Sequence, residues 1–355
     1  MSPLGPAELS DTVDRIGEAQ RPDGMLPWYP GGHGDPWDHV EAAMALTLGG
    51  RMTEAQRAYE WLVRNQEADG SWCNHFLDGV VLDAMRDTNV SAYVATGAWH
   101  HYLATADSGF LDAMFPVVEA AVSFVLSLQQ PGGEVLWCVE PDGRPGGYAL
   151  LTASSSIYFS LRCAIASAEA LDRPRPDWEL AAGRLAHALA CRPHAFAPKH
   201  RFAMDWYYPV LCGAVGGEEA RARVGEGWAT FVMEGLGVRC VSDQPWVTAA
   251  ETAECAIALQ ACGLTGEAAL VLEWTHRLRH HDGSYWTGRV DPDATYFPCG
   301  ERSTYSAAAV VLAHHTLSGP GPAAALFRPE SLPRGLVLGR PLASSGSGPD
   351  PAQHL

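Results

Sequence analysis

The chain has 355 residues, enough for one large domain or two ordinary ones. Hydrophobic residues make up 47% and charged residues 18%, which fits a large core and excludes a highly charged, unfolded chain. The formal net charge of −17, without a basic cluster interleaved with aromatics, repels phosphate backbones and anionic lipid, so no nucleic-acid partner is expected.

No apolar run reaches the roughly 18 residues that span a bilayer, so no transmembrane segment is expected. Met1 to Ser10 lacks the basic start and apolar core of an export signal. The nine Cys residues are scattered from Cys73 to Cys299 with no CxxC pair, as for free thiols in a reducing compartment. A cytoplasmic placement is the expectation.

Along the chain a unit recurs: an apolar helix, a turn with Gln, Asp, Gly and Trp, and a second helix rich in Ala and Leu. The first turn is IGEAQRPDGMLPW, Ile16 to Trp28, followed by a helix near Asp38 to Leu48. The clearest copy runs from Tyr59 to Trp72 and precedes a helix from Asp87 to Ala104. FVLSLQQPGGEVLW, Phe124 to Trp137, leads into Thr152 to Ala170. Two copies are blurred: His187 to His200, before a helix at Asp205 to Ala214, and Gly225 to Trp246, before Trp246 to Cys262. The last is WTHRLRHHDGSYW, Trp274 to Trp286, before Glu301 to Leu317.

Gly after Asp or Pro ends each first helix in a backbone conformation open to it, and the Trp packs back on the turn. The second helices are apolar nearly all round, so they belong inside, covered by the first helices. The expected fold is all-α: an (α/α)6 barrel, or toroid, of six hairpins over 1–320. A Pro/Gly/Ser-rich, loosely packed extension follows at 321–355. An open superhelical stack is the alternative, but it needs polar caps that the sequence lacks.

In such a ring the N-termini of the inner helices share one mouth. Candidate catalytic residues there are Asp38, His39, Asp205, Glu251 and Glu301, each with helix capping as the competing role. Candidate substrate-binding residues are Trp28, Trp37, Asp87, Trp206, Tyr208, Trp246, Tyr296 and Tyr305. Glu301 enters an apolar helix, where burial is costly unless it is paired or used. Glu251 and Glu254 lie three residues apart on one face, and an Arg such as Arg302 or Arg162 is a candidate partner that would make them structural. Glu41, Asn89, Tyr207, Asp243 and Thr304 complete the set at the mouth. No nucleotide fingerprint is present, and Cys299 is too far along the helix from His314 or His315 to share a metal. No cofactor and no metal are expected; a small-molecule substrate is, with homo-oligomer or second subunit left open.

The turns QEADGSW, QRPDGMLPW and HHDGSYW resemble the QW-type repeats of terpenoid cyclases and protein prenyltransferase β subunits, the α/α toroids. This resemblance implies a cyclase, isomerase or transferase acting on an isoprenoid through carboxylic-acid-assisted carbocation chemistry in an aromatic cavity. The sequence departs from that pattern in having no DxDD, no DDxxD and no zinc-binding DxC. Glycan-active enzymes with the same ring supply an alternative, a hydrolase, epimerase or lyase with paired carboxylates. A non-catalytic binding toroid is the third reading.

Overall fold

The computed structural model describes residues 4–328, 330–333 and 336. Its helices are α1 (Pro6–Ala19), α2 (Pro36–Leu48), α3 (Met52–Asn65), α4 (Thr88–Ala92), α5 (Val94–Thr105), α6 (Ser108–Ser127) and α7 (Leu151–Ala170). They continue with α8 (Pro176–Cys191), α9 (Ala203–Leu211), α10 (Gly217–Phe231), α11 (Ala249–Ala261), α12 (Thr265–Trp274) and α13 (Thr304–Ser318). Inside, α2 packs on α5, α5 on α7, α7 on α9, α9 on α11, α11 on α13 and α13 back on α2. The ring is closed, as the apolar second helices require. Outside lie α1, α3, α6, α8, α10 and α12, so six hairpins form the expected (α/α)6 toroid.

Burial follows position. Outer α3 buries one stripe, Ala55, Ala58, Tyr59, Trp61 and Leu62, whereas inner α13 buries every residue from Thr304 to Ala313. The Asp-Gly turns explain the repeat. Gly70 has a φ of +92°, and a Cβ there would fall 2.1 Å from the Ala120 carbonyl oxygen of the next outer helix, α6. Gln66 Nε2 bridges the same joint, donating to Gly70 O and Val117 O at 2.9 Å each. Gln20 ties the first turn to α3, and Gln129 ties the third to α8, in the same way. The turn is therefore a clamp between successive hairpins.

Several boundaries differ from the sequence expectation. The helix expected from Asp87 is broken at Tyr93 into α4 and α5. Trp246–Thr248 and Thr295–Arg302 are strands rather than helix starts, and they join 286–290, 237–239 and 232–233 in a five-stranded antiparallel sheet on the mouth rim. Extended Thr, Tyr, Phe and Val there suit a half-buried pleated surface, which helix periodicity alone does not register. Ser108–Ser127 is, by length and composition, long and apolar enough to cross a membrane, although Asp112 and Glu119 interrupt its apolar run. In the fold it packs on α5 and α7, and its Asp112 meets Arg173 at 2.8 Å. All nine Cys residues are free.

At the far ends of the inner helices, Leu326, Phe327 and Leu332 are buried, and Phe327 stacks on Phe159 at 5.3 Å. Arg162 donates to Leu332 O and Pro333 O at 2.8 and 2.9 Å. Residues 329, 334–335 and 337–355 of the expected extension lie outside the described residues.

Candidate active site

Four carboxyl groups stand in two layers on α2 and α11, the inner helices that flank α13. Asp38 and Glu251 occupy the first turns, and Glu41 and Glu254 lie one turn deeper on the same faces. Asp35 caps α2, accepting from Trp37 N and Asp38 N at 2.8 and 3.0 Å, which fixes the first turn under the mouth.

Asp38 is 4% exposed. Burial pushes its pKa well above the usual carboxylate range, and the charges of Asp35, Glu41 and Glu254 and a hydrogen bond shared with Asp35 add to it. Glu251 is half-buried, accepts from the Thr248 hydroxyl and has its pKa raised by burial, an effect this hydrogen bond opposes.

In the deeper layer Glu254 commits both oxygens, one to the Tyr207 hydroxyl and one to Tyr305 at 2.6 Å. Its expected arginine partners are engaged elsewhere, Arg302 with Asp282 at 2.7 Å and Arg162 with backbone carbonyls. Glu41 accepts from Tyr93 at 2.6 Å, and burial lifts its pKa to about 7 against the pull of that bond. The Trp37 ring lies among Tyr93, Tyr305 and Tyr208 with centroids at 5.1, 5.3 and 6.4 Å. Residues of α2, α9, α11 and α13, with Tyr93 between α4 and α5, thus meet in one aromatic chamber walled by carboxyl groups.

The other expected site residues lie around or away from that chamber. His39 is fully buried on the outer side of α2; its Nδ1 accepts from Leu26 N and its Nε2 meets Ala58 O, both at 2.9 Å. Burial lowers its pKa to about 4, so it is neutral. Glu301 stands on the rim strand, accepting from Trp28 Nε1 at 2.6 Å and the Thr287 hydroxyl at 2.8 Å. It lines a cavity of about 600 Å³ at the seam of α1 and the rim, with Arg15, Tyr29 and Asp282.

Asp205 accepts from the Thr152 hydroxyl at 2.6 Å, joining α9 to α7. Asp87 caps α4 and accepts from Trp137 Nε1; burial raises its pKa to about 6. Trp206 points to the outer ring, donating to Arg223 O at 2.9 Å and stacking on Phe231 of α10. Trp28 meets Tyr305 at 5.4 Å, so it connects rim to chamber. Trp246, 37% exposed, pairs with Phe297, and Tyr296 stacks on Trp286 at 4.3 Å, all on the rim sheet. Tyr93 escaped the sequence reading. Its signal was repetition, since α9 and α13 also carry Tyr near their N-termini.

Among the described residues, no three His, Cys, Asp or Glu side chains are grouped to hold a metal. No family profile matches the chain. It is 50% identical over 333 residues, 94% of its length and 92% of the relative's, to an MMP endo-(1,4)-3-O-methyl-α-D-mannosidase of Mycolicibacterium hassiacum. Solved structures with the same fold include a glycosidase (TM-score 0.69, 14% identity, 88% of this chain and 98% of that one). Another is a mannosylglycerate hydrolase from Thermus thermophilus (0.68, 12%, 87% and 99%), and a third is a D-mannose isomerase (0.59, 12%, 87% and 97%).

These relatives overturn the isoprenoid reading and, with it, the cyclase, isomerase or transferase class. The resemblance to terpenoid cyclases and prenyltransferases was a likeness of hairpin clamps. Those clamps fix a ring and carry no chemistry.

Proposed function

The chain belongs to the family of the MMP endo-(1,4)-3-O-methyl-α-D-mannosidase, and from that premise we propose that it hydrolyses internal α-(1,4) bonds in chains of 3-O-methyl-D-mannose. The observation that carries the residue assignment is the contrast between two carboxyls at one mouth. Asp38 is sealed, and its neighbours Asp35, Glu41 and Glu254 add to burial in raising its pKa, whereas Glu251 is only half-buried and its hydrogen bond from Thr248 opposes the rise. Carboxyls whose surroundings differ in this way divide naturally into acid and base.

In this mechanism the Asp38 proton passes to the glycosidic oxygen as the bond to the anomeric carbon breaks. Glu251 takes a proton from a water whose oxygen bonds to that carbon, giving inversion of configuration. Tyr305 offers a ring face against which a sugar stacks, and the π faces of the surrounding rings favour the positive charge that develops on it. The deeper carboxyls hold the tyrosines that shape this floor.

The test is digestion of an α-(1,4)-linked 3-O-methylmannose oligosaccharide, with products separated by length. The wild-type protein should release internal fragments, and Asp38→Asn and Glu251→Gln should each lower kcat by about 10²–10⁴-fold. Wild-type protein that leaves the oligosaccharide intact, or an Asp38→Asn variant as active as wild type, would refute the assignment.

A further inference from the structure

Two polar atoms in the aromatic chamber are buried and bonded by no described residue: Oε2 of Glu41 and the indole nitrogen Nε1 of Trp37. Their side chains belong to residues only 3% and 8% exposed. The neighbouring polar atoms are paired, since Glu254 holds two tyrosines and Glu41 Oε1 holds Tyr93. Buried polar groups are rarely left without partners, and those that are call for an explanation.

Trp37 and Glu41 are four residues apart on α2, so they are neighbours on one helix face. That face looks into the ring. The Trp37 indole touches rings from α9 and α13 as well as Tyr93, and the charge of Glu41 is felt at Asp38, Glu254, Tyr208 and Tyr305. The pair consists of one acceptor and one donor, beside the acid that works on the glycosidic bond. A hydrocarbon satisfies neither atom; a sugar satisfies both.

The substrate chemistry narrows the match, on the hydrolase reading above. In an α-(1,4)-linked 3-O-methylmannose residue, O1 and O4 are in linkages and O3 carries a methyl group. The only hydroxyl borne directly by the ring is at C2, and the neighbouring O3 ether accepts a hydrogen bond but has no proton to donate. We propose that Glu41 and Trp37 form the specificity pair of the chamber, Glu41 Oε2 accepting from the 2-hydroxyl and Trp37 Nε1 donating to the adjacent O3. Glu41 then reads the feature that distinguishes mannose at C2, while Trp37 tolerates methylation at its neighbour. Tyr93 is a positioning residue, holding the other oxygen of Glu41 so that Oε2 points inward.

Calorimetric titration tests this in the full chain silenced by Glu251→Gln, with a 3-O-methyl-α-D-mannosyl oligosaccharide and its 2-deoxy counterpart as probes. With Glu41 intact, the 2-deoxy probe should bind about 10- to 100-fold more weakly, as expected for loss of a hydrogen bond to a charged or polar buried group. Adding Glu41→Gln should weaken the parent sugar and leave the two probes within about threefold of each other. Trp37→Phe should weaken both probes alike. If the 2-deoxy probe binds as tightly as the parent to the Glu251→Gln protein, the assignment fails whether or not the Glu41 variant folds. If Glu41→Gln weakens both probes equally, Glu41 is only structural. A protein that hydrolyses the parent but gives either result refutes this pair alone, whereas one that neither binds nor cleaves it refutes the hydrolase reading as well.

Discussion

The hydroxyl of Thr12 in α1 donates to the carbonyl of Gly283 at 2.9 Å, joining residues 271 positions apart. Gly283 belongs to the last Asp-Gly turn, and α1 is the first outer helix. Its φ is +95°, and a Cβ there would lie 2.8 Å from Asp11. The contact repeats what Gly70 makes with α6, so the sixth joint uses the same device as the second and closes the ring. Arg279 takes the role of Gln at this joint, donating to Glu8 O at 3.1 Å.

The clamp predicts the cost of filling it. Gly70→Ala combines a left-handed backbone with a side chain pressed on the Ala120 carbonyl, and should destabilise the fold by roughly 2–4 kcal/mol. Denaturant unfolding checks this. A loss under about 0.5 kcal/mol, as at an ordinary surface site, would mean that the turn does not clamp α6.

Glu41 should make stability fall as pH rises. Its folded pKa, about 7, lies above the ordinary value of 4.5, so between those values the folded state binds more protons than the unfolded one. Stability is greatest below the unfolded value and is lost as pH climbs toward 7, by roughly 3 kcal/mol for this group alone. Unfolding curves at pH 5 and pH 7.5 should therefore draw together in Glu41→Gln. An unchanged pH difference would show that Glu41 is ionised without penalty.

His39 has the opposite sign. Its folded pKa, lowered by burial to about 4, means that the unfolded chain takes up its proton first as pH falls below the ordinary 6.5, and stability drops across that window. His39→Ala leaves Leu26 N and Ala58 O unpaired and should destabilise by roughly 2–4 kcal/mol. The pH profile of activity should keep its shape, and a shifted limb would instead give His39 a role in proton transfer.

Glu301→Gln should retain activity within about tenfold. Its carboxylate bonds Trp28 and Thr287 on the rim, and the amide oxygen of Gln can accept from the same donors. Parallel turnover assays on Asp38→Asn and Glu301→Gln decide the matter; equal losses would place Glu301 in the chemistry.

The ring was legible because its causes are local: apolar second helices, and Gln, Asp and Gly at fixed offsets. Those same motifs misled the reading of function, because Gln66 and Gly70 meet an outer helix and never approach the chamber. Asp38 and Glu251 were legible as acids at helix starts. The division of labour proposed for them was not, since it rests on Asp35, Glu41 and Glu254 surrounding Asp38 from two helices. Trp206 and Tyr208 show the limit most sharply. Two positions apart on α9, one faces the outer ring and the other the chamber, and an apolar helix gives no sequence stripe to tell them apart.

Proton NMR of the first sugar released from an α-(1,4)-linked 3-O-methylmannose oligosaccharide tests the central claim most directly. With Asp38 as acid and Glu251 activating water, the new reducing end should appear first as the β anomer and relax afterwards to the equilibrium mixture. First appearance of the α anomer would contradict the water-activating role of Glu251, and absence of any new reducing end would contradict the hydrolase assignment itself.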